Sequence, residues 1–192
     1  RDLVVGIEGT APLPMFRPVI DYELAFPPKH GGDHDPGALP ASLKEAILAF
    51  VLSCAARRAR GQRKAHNSML VHVTWRTAVQ KKVRQLVEDE FHRVRRVIHY
   101  EKNHPVWEQL KSLWEKDFTE CSTKIRELEA DARLTAVTWE EVNAELTVAA
   151  DKISVREINS QSKDELAYNR EPDGLSVIAV GANKLSRGLT LE

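Results

Sequence analysis

Lys184 and Arg187 stand in the segment Gly-Ala-Asn-Lys-Leu-Ser-Arg-Gly (Gly181 to Gly188), directly after the apolar run Leu175 to Gly181. Small residues at the carboxyl end of a strand let backbone N–H groups approach an anion, and cations beside them add charge-assisted hydrogen bonds. In an open parallel sheet, ligands gather at such carboxyl ends. Asn183, Lys184, Arg187 and Gly188 are therefore candidates for a nucleotide cleft; the alternative is a surface turn with two solvated cations. The run Ser68 to Trp75 ends in the same way, with Thr74, Trp75, Arg76 and Thr77 at the start of a helix. A hydroxyl, a guanidinium and the first N–H groups of a helix suit a phosphate. Many strand–helix junctions carry a threonine with no ligand, and that reading stands beside the first.

Other reactive side chains offer less. There is no G-x-x-x-x-G-K-[ST] loop to cradle the phosphates of ATP. Pro172-Asp173 hints at a nuclease of the PD-(D/E)xK type, but Leu175 to Gly181 carries no D/E-x-K. No acidic pair at the end of a buried strand offers a Mg²⁺ site, so no complete catalytic set is present. His30, Asp33, His34 and Asp35 could ligate a divalent ion, yet they read better as solvated residues of a loop, and no metal site is expected. Cys54 and Cys121 lie in helical apolar stretches without C-x-x-C spacing, which predicts buried thiols rather than a disulfide or zinc site.

Charge is more informative by segment than in total. Twenty-eight Lys and Arg balance twenty-eight Asp and Glu, and a net charge of zero argues at first against nucleic acid. Residues 1–56 carry −3, residues 57–96 carry +9, residues 97–151 carry −6 and the remainder is neutral. A basic block at a helix end and along the next helix is a candidate phosphate-backbone footprint, with Arg57, Arg58, Arg60, Thr74, Arg76, Lys81 and Lys82 as its contacts. Neutralisation of the acidic segment by intramolecular pairing is the other reading, and both can hold in part.

These residues need elements to position them. Seven of the nine prolines fall in residues 1–40, which predicts an irregular extension with short edge strands at Leu3 to Ile7 and Val19 to Tyr22, and a loop at His30 to Gly37. Ser42 and Glu45 suggest a capping box for a buried helix from Leu43 to about Arg60, stopped by Gly61. A helix from about Thr77 to Ile98 carries Val79, Val83, Leu86, Val87, Phe91, Val94 and Ile98 on one face. After Asn103-His104-Pro105, an apolar stripe from Trp107 to Ala132 predicts a third helix of about 26 residues. The two helices suggest an antiparallel hairpin projecting from the core as an arm at about 77–150. Thr138 and Glu141 cap a fourth helix ending near Lys152, and Ile153 to Ile158 alternates as a strand. The continuous apolar run Leu175 to Gly181 fits a strand buried on both faces of a parallel sheet.

The segments LPASLKEAILAFVLSCAARRARG, HNSMLVHVTWRTAVQKKV, ISVREINS and LSVIAVGANKLSRGLTLE together resemble the Z1 domain over roughly residues 39–192. That family occurs in proteins assigned as endonucleases and in restriction systems, beside a superfamily-two helicase ATPase lobe. SMLVHVTW is similar to the fourth helicase motif and GANKLSRGLTLE to the fifth. The match departs from typical fifth motifs at Ala182, Asn183 and Thr190, and rests on Arg187-Gly188 and the buried run before them. The resemblance implies an α/β fold, a RecA-like parallel-sheet lobe with an inserted antiparallel helical hairpin, and divides the chain into the extension 1–40 and a Z1 domain over 41–192.

The resemblance further implies the second lobe of an ATP-driven DNA motor in a restriction or phage-defence system. Its partners would be DNA, an N-terminal ATPase lobe of the same protein and a nuclease subunit or domain. ATP and Mg²⁺ would serve the whole protein, and this chain alone is expected to be inactive. The chain is expected to stop, at Glu192, before the arginine-finger motif. The competing reading is a non-catalytic interaction module that uses the helical hairpin for assembly; a third, that the chain is itself the nuclease, lacks metal-holding carboxylates. No apolar run approaches the ~18 residues of a membrane span, and no signal-like segment opens the chain, so a cytoplasmic location is expected.

Overall fold

The computed structural model describes residues 19–23, 25–27, 29–128, 135–159, 166 and 168–181. Its first helix, α1, spans Ala41–Ala59 and starts behind Pro40, whose fixed φ of −54° suits entry into a helix. The expected Ser42–Glu45 capping box does not form. Instead Ser42 N–H and Oγ–H both donate to the Asp21 carboxylate, at 2.9 and 2.5 Å. A full negative charge at the first turn satisfies two donors together and also faces the positive end of the helix dipole. Those bonds hold the Asp21 carboxyl below the usual carboxylate range. At the other end Gly61 takes φ +81°, and the Gly61 and Gln62 N–H groups return to the Arg58 and Arg57 carbonyls, so α1 stops at the glycine that the sequence marks.

The strands are β1 (Asn67–His72), β2 (Ile153–Ile158) and β3 (Ser176–Gly181), in the order β1-β3-β2 and all parallel. The central strand is buried at every residue, as its unbroken apolar run predicts. Burying each of Val177, Ile178 and Val180 contributes roughly 1.5–3 kcal/mol. The register pairs Asn67 and Ile153 with Ser176, and His72 and Ile158 with Gly181, so the three strands end at one level. β1 is shorter than expected: its ladder closes at His72, and beyond it the Thr74 carbonyl accepts from the Gln80 side chain.

Helix α2 (Thr77–Tyr100) lays Val79, Val83, Val87, Phe91, Val94 and Ile98 into the main core, against β2, β3 and α5 (Trp139–Lys152). α5 begins with the predicted capping box, with Thr138 N–H donating to Glu141 and Glu141 N–H to Thr138 Oγ1, and packs along α1. The third predicted helix is interrupted. α3 (Val106–Leu113) passes into a π-helical turn, Trp114–Phe118, and then α4 (Thr119–Leu128). In that turn Thr119 N–H bonds the Trp114 carbonyl five residues back, and Phe118 stacks on Trp114 with centroids 5.7 Å apart. The wider turn keeps buried Trp114 on the core side where the stripe takes a step of seven residues to Cys121.

Val106, Leu110, Leu113 and Trp114 belong to the same core as α2, so α3 packs on the domain, whereas α4 places no residue, among the described side chains, in that core. Val19 to Tyr22 is not a strand: the Ala25 and Phe26 N–H groups turn back on the Tyr22 carbonyl, and Val19 and Ile20 are exposed. Cys121 is half-buried rather than buried. Leu3 to Ile7 lies outside the described residues. No helix among the described residues is long and apolar enough to cross a membrane.

Candidate functional site

The common level at which the strands end brings the residues after β1 and β2 to one edge, and β3 leaves its ladder there at Gly181. A buried polar chain crosses this edge. Gln80, 1% exposed in the first turn of α2, donates from Nε2 to the Thr74 carbonyl at 2.6 Å and accepts from Asn159 Nδ2 at 3.2 Å. Asn159 follows β2 directly, and its amide also donates to Glu157 Oε1 at 2.6 Å. Thr74 Oγ1 accepts from the Arg76 N–H at 3.3 Å and lies 3.1 Å from His30 Nε2. Satisfied buried polar chains of this kind hold a backbone in one arrangement, since each lost link leaves an unpaired group in a low-dielectric interior.

Gln80 and Asn159 are residues of this candidate edge that sequence reasoning missed. For Gln80 a signal existed: it continues, by steps of three and four, the stripe of Val83, Val87 and Phe91, so a polar side chain stands in line with a core face. Asn159 has no comparable signal within the polar stretch Asn-Ser-Gln-Ser.

The structure separates the basic candidates into two groups. Thr74, Arg76, Lys81 and Lys82 lie at the carboxyl edge. Arg76 stacks over the ring of the exposed Trp75, 4.5 Å from its centroid, while Lys81 is exposed. Lys82 Nζ donates to the carbonyls of Asp33 and His34 at 2.8 and 3.1 Å and stands 3.8 Å from the Asp35 carboxylate. Arg57, by contrast, works at the amino end of the sheet. It donates to Gln62 Oε1, to the His66 carbonyl and to Asn67 Oδ1, the last on the first residue of β1. A six-residue strand separates the two ends by about 20 Å.

Arg58 pairs with Glu145 on α5 at 2.9 Å, and Arg63 meets the same carboxylate at 3.1 Å. Arg60 donates to the Thr135 carbonyl and to Ser122 Oγ; burial, and then the nearby Arg126 charge, lower its pKa below the usual arginine value. For Arg58 and Arg63 pairing with the acidic segment is therefore present in atomic detail, while Arg60 meets neutral acceptors of that segment. The nucleotide-cleft candidates Asn183, Lys184, Arg187 and Gly188 lie outside the described residues, although the chain enters that segment from Gly181 at the carboxyl edge.

His30 and His34 have ring centroids 5.0 Å apart, but they face protein groups: His30 meets the Pro27 carbonyl and Thr74, and His34 the Ala25 carbonyl at 2.6 Å. Among the described residues no cluster of three or more His, Cys, Asp or Glu side chains could hold a metal ion. Burial pushes the Cys54 thiol up to about 12, which keeps it protonated and without nucleophilic character.

No curated protein and no solved structure matches this chain. The family model of the Z1 domain matches residues 42–192, from the second residue of α1 to the end of the chain, and by that match the protein belongs to the Z1 domain family.

Proposed function

We propose that this Z1 domain serves as the second lobe of a helicase-like, DNA-dependent ATPase motor acting with a nuclease in restriction or phage defence. The observation that carries this reading is the parallel sheet whose three strands end in register at one edge. That edge holds Thr74 and Arg76 after β1 and Asn159 after β2, and the chain continues from Gly181 of β3 into the cationic segment containing Lys184 and Arg187. Carboxyl edges of parallel sheets are where nucleotide and phosphate ligands collect. Lys184 and Arg187 would hold the phosphates of ATP at the face shared with a preceding lobe, while Thr74, Arg76, Lys81 and Lys82 would meet the DNA backbone. ATP, with its Mg²⁺, supplies the phosphoryl bond whose hydrolysis drives such motors. This chain has no Walker loop to cradle it, so turnover requires the partner lobe.

The reading as a non-catalytic assembly module draws less support from the packing, since α2 and α3 commit most of their apolar side chains to the domain's own core. The deciding experiment uses the complete protein that contains this domain. Arg187→Ala should abolish DNA-stimulated ATP hydrolysis while leaving the circular-dichroism spectrum unchanged. Unaltered turnover would remove the cleft assignment.

A further inference from the structure

Resting on the reading of Arg76 and Lys82 as DNA-phosphate contacts, we propose that the acidic loop His30–Gly37 is an autoinhibitory lid, bound to this surface until duplex DNA displaces it. The loop presents to Lys82 the groups a phosphodiester would present. Two carbonyl oxygens accept from Nζ at 2.8 and 3.1 Å, and the Asp35 carboxylate stands 3.8 Å away. It also runs beside the second cation, since a Cβ placed on Gly32 would lie 3.5 Å from Arg76 Nη1. The Asp35 carboxylate thus faces Lys82, and Asp33 adds a second negative charge to the same loop, beside a surface formed by Arg76 at the start of α2 and by Lys81 and Lys82 on it.

The loop is latched to the candidate site by His30, which meets Thr74 Oγ1, and is tied back to its own base by the bond from His34 to the Ala25 carbonyl. The latch is weak enough to yield. The Lys82 and Asp35 side chains are 39% and 73% exposed, and exposed pairs of this kind contribute little net stability and are screened by salt. Duplex DNA presents a charge every ~1.7 Å and gains further by releasing counterions, so it outcompetes two carboxylates for the same cations. The lid would set the salt concentration and DNA density at which the domain engages.

The test is a fluorescence-anisotropy titration of a labelled mixed-sequence duplex with the full chain over a range of NaCl concentrations. Asp33→Asn/Asp35→Asn should bind about fivefold more tightly than the native chain. Its advantage over the native chain should shrink as salt rises, because salt screens the ion pair that holds the lid. The control Glu171→Gln/Asp173→Asn changes the net charge equally at the other end of the sheet and should show neither effect. An equal gain in that control, or no gain in the loop variant, overturns the lid. His30→Ala, which removes the latch to Thr74, should tighten binding in the same direction. The underlying DNA reading fails separately: it falls if Lys82→Ala and Arg76→Ala leave affinity unchanged, whereas the lid alone falls if those two weaken binding while the loop variants behave as the native chain.

Discussion

Gln80 bonds the carbonyl of Thr74 at 2.6 Å, so the first turn of α2 is tied by a buried side chain to the strand exit that precedes it. The same amide accepts from Asn159 and thereby spans from the end of β1 to the end of β2. Gln80→Leu keeps the volume and removes both links: the buried Thr74 carbonyl loses its side-chain donor, and the Asn159 amide, which still donates to Glu157, loses its bridge to α2. The expected cost is about 2 kcal/mol of stability and a fall of about 4–8 °C in Tm, read by thermal denaturation. A Tm within 1–2 °C of the native value would show that the chain is not a structural link.

Glu145 is the shared partner of Arg58 and Arg63, and the two cations differ in exposure. The Arg58 side chain is 11% exposed and that of Arg63 is 67% exposed. Glu145→Gln should therefore cost about 1–3 kcal/mol in urea unfolding, because the half-buried Arg58 loses its counter-charge, while Arg63→Ala should cost under ~0.5 kcal/mol. Equal effects from the two variants would contradict the burial argument.

Asp21 gives the domain a pH-dependent clasp between the segment before α1 and its first turn. Its carboxyl is held below the usual range, first by the Ser42 hydroxyl and then by the Ser42 N–H. A depressed folded-state value means that the stabilisation is complete above the unfolded value, near pH 4, and is lost as pH falls through the folded value. Ser42→Ala should flatten this part of the Tm profile between about pH 5 and pH 2. A native profile that matches the variant throughout that range would show that the pair contributes nothing.

The two thiols should separate by reactivity. Cys54 is buried, with its pKa pushed up to about 12, and Cys121 is half-buried on α4. At pH 8 a colorimetric disulfide reagent should titrate Cys121 well before Cys54, and both should react together in denaturant. Rapid reaction of both in the native chain would mean that α1 opens readily against α5.

What was legible in the sequence was local. Thr138 and Glu141 are three residues apart and nothing nearby competes for them, so their capping box is read directly and is present. Ser42 and Glu45 have the same spacing, but Asp21, distant in sequence, wins both Ser42 donors because a carboxylate accepts them together. The apolar run of β3 and the stripe of α2 announce their burial, since each is a repetition along one element. The edge chain of Thr74, Gln80 and Asn159 joins residues up to 79 positions apart, and a pairing of that range has no periodicity to detect. Likewise the block of +9 reads as one surface, yet a six-residue strand carries Arg57 and Arg76 to opposite ends of the sheet.

That separation yields the sharpest test of the basic candidates. Arg57 spends its donors on Gln62, the His66 carbonyl and Asn67, all of which shape the turn into β1. Arg57→Ala should lower stability by about 2–3 kcal/mol, because the His66 carbonyl and the Asn67 side chain lose a charged donor. Where the variant remains folded, its DNA affinity should be unchanged. Arg76 lies over the exposed ring of Trp75, so Arg76→Ala should leave Tm within about 2 °C of the native value. It should nevertheless weaken binding of every duplex sequence and reduce the salt slope by about 1, the signature of one lost phosphate contact. If instead Arg57→Ala loses DNA affinity without losing stability, the DNA-facing surface is the amino end of the sheet, and the carboxyl edge is left to the nucleotide.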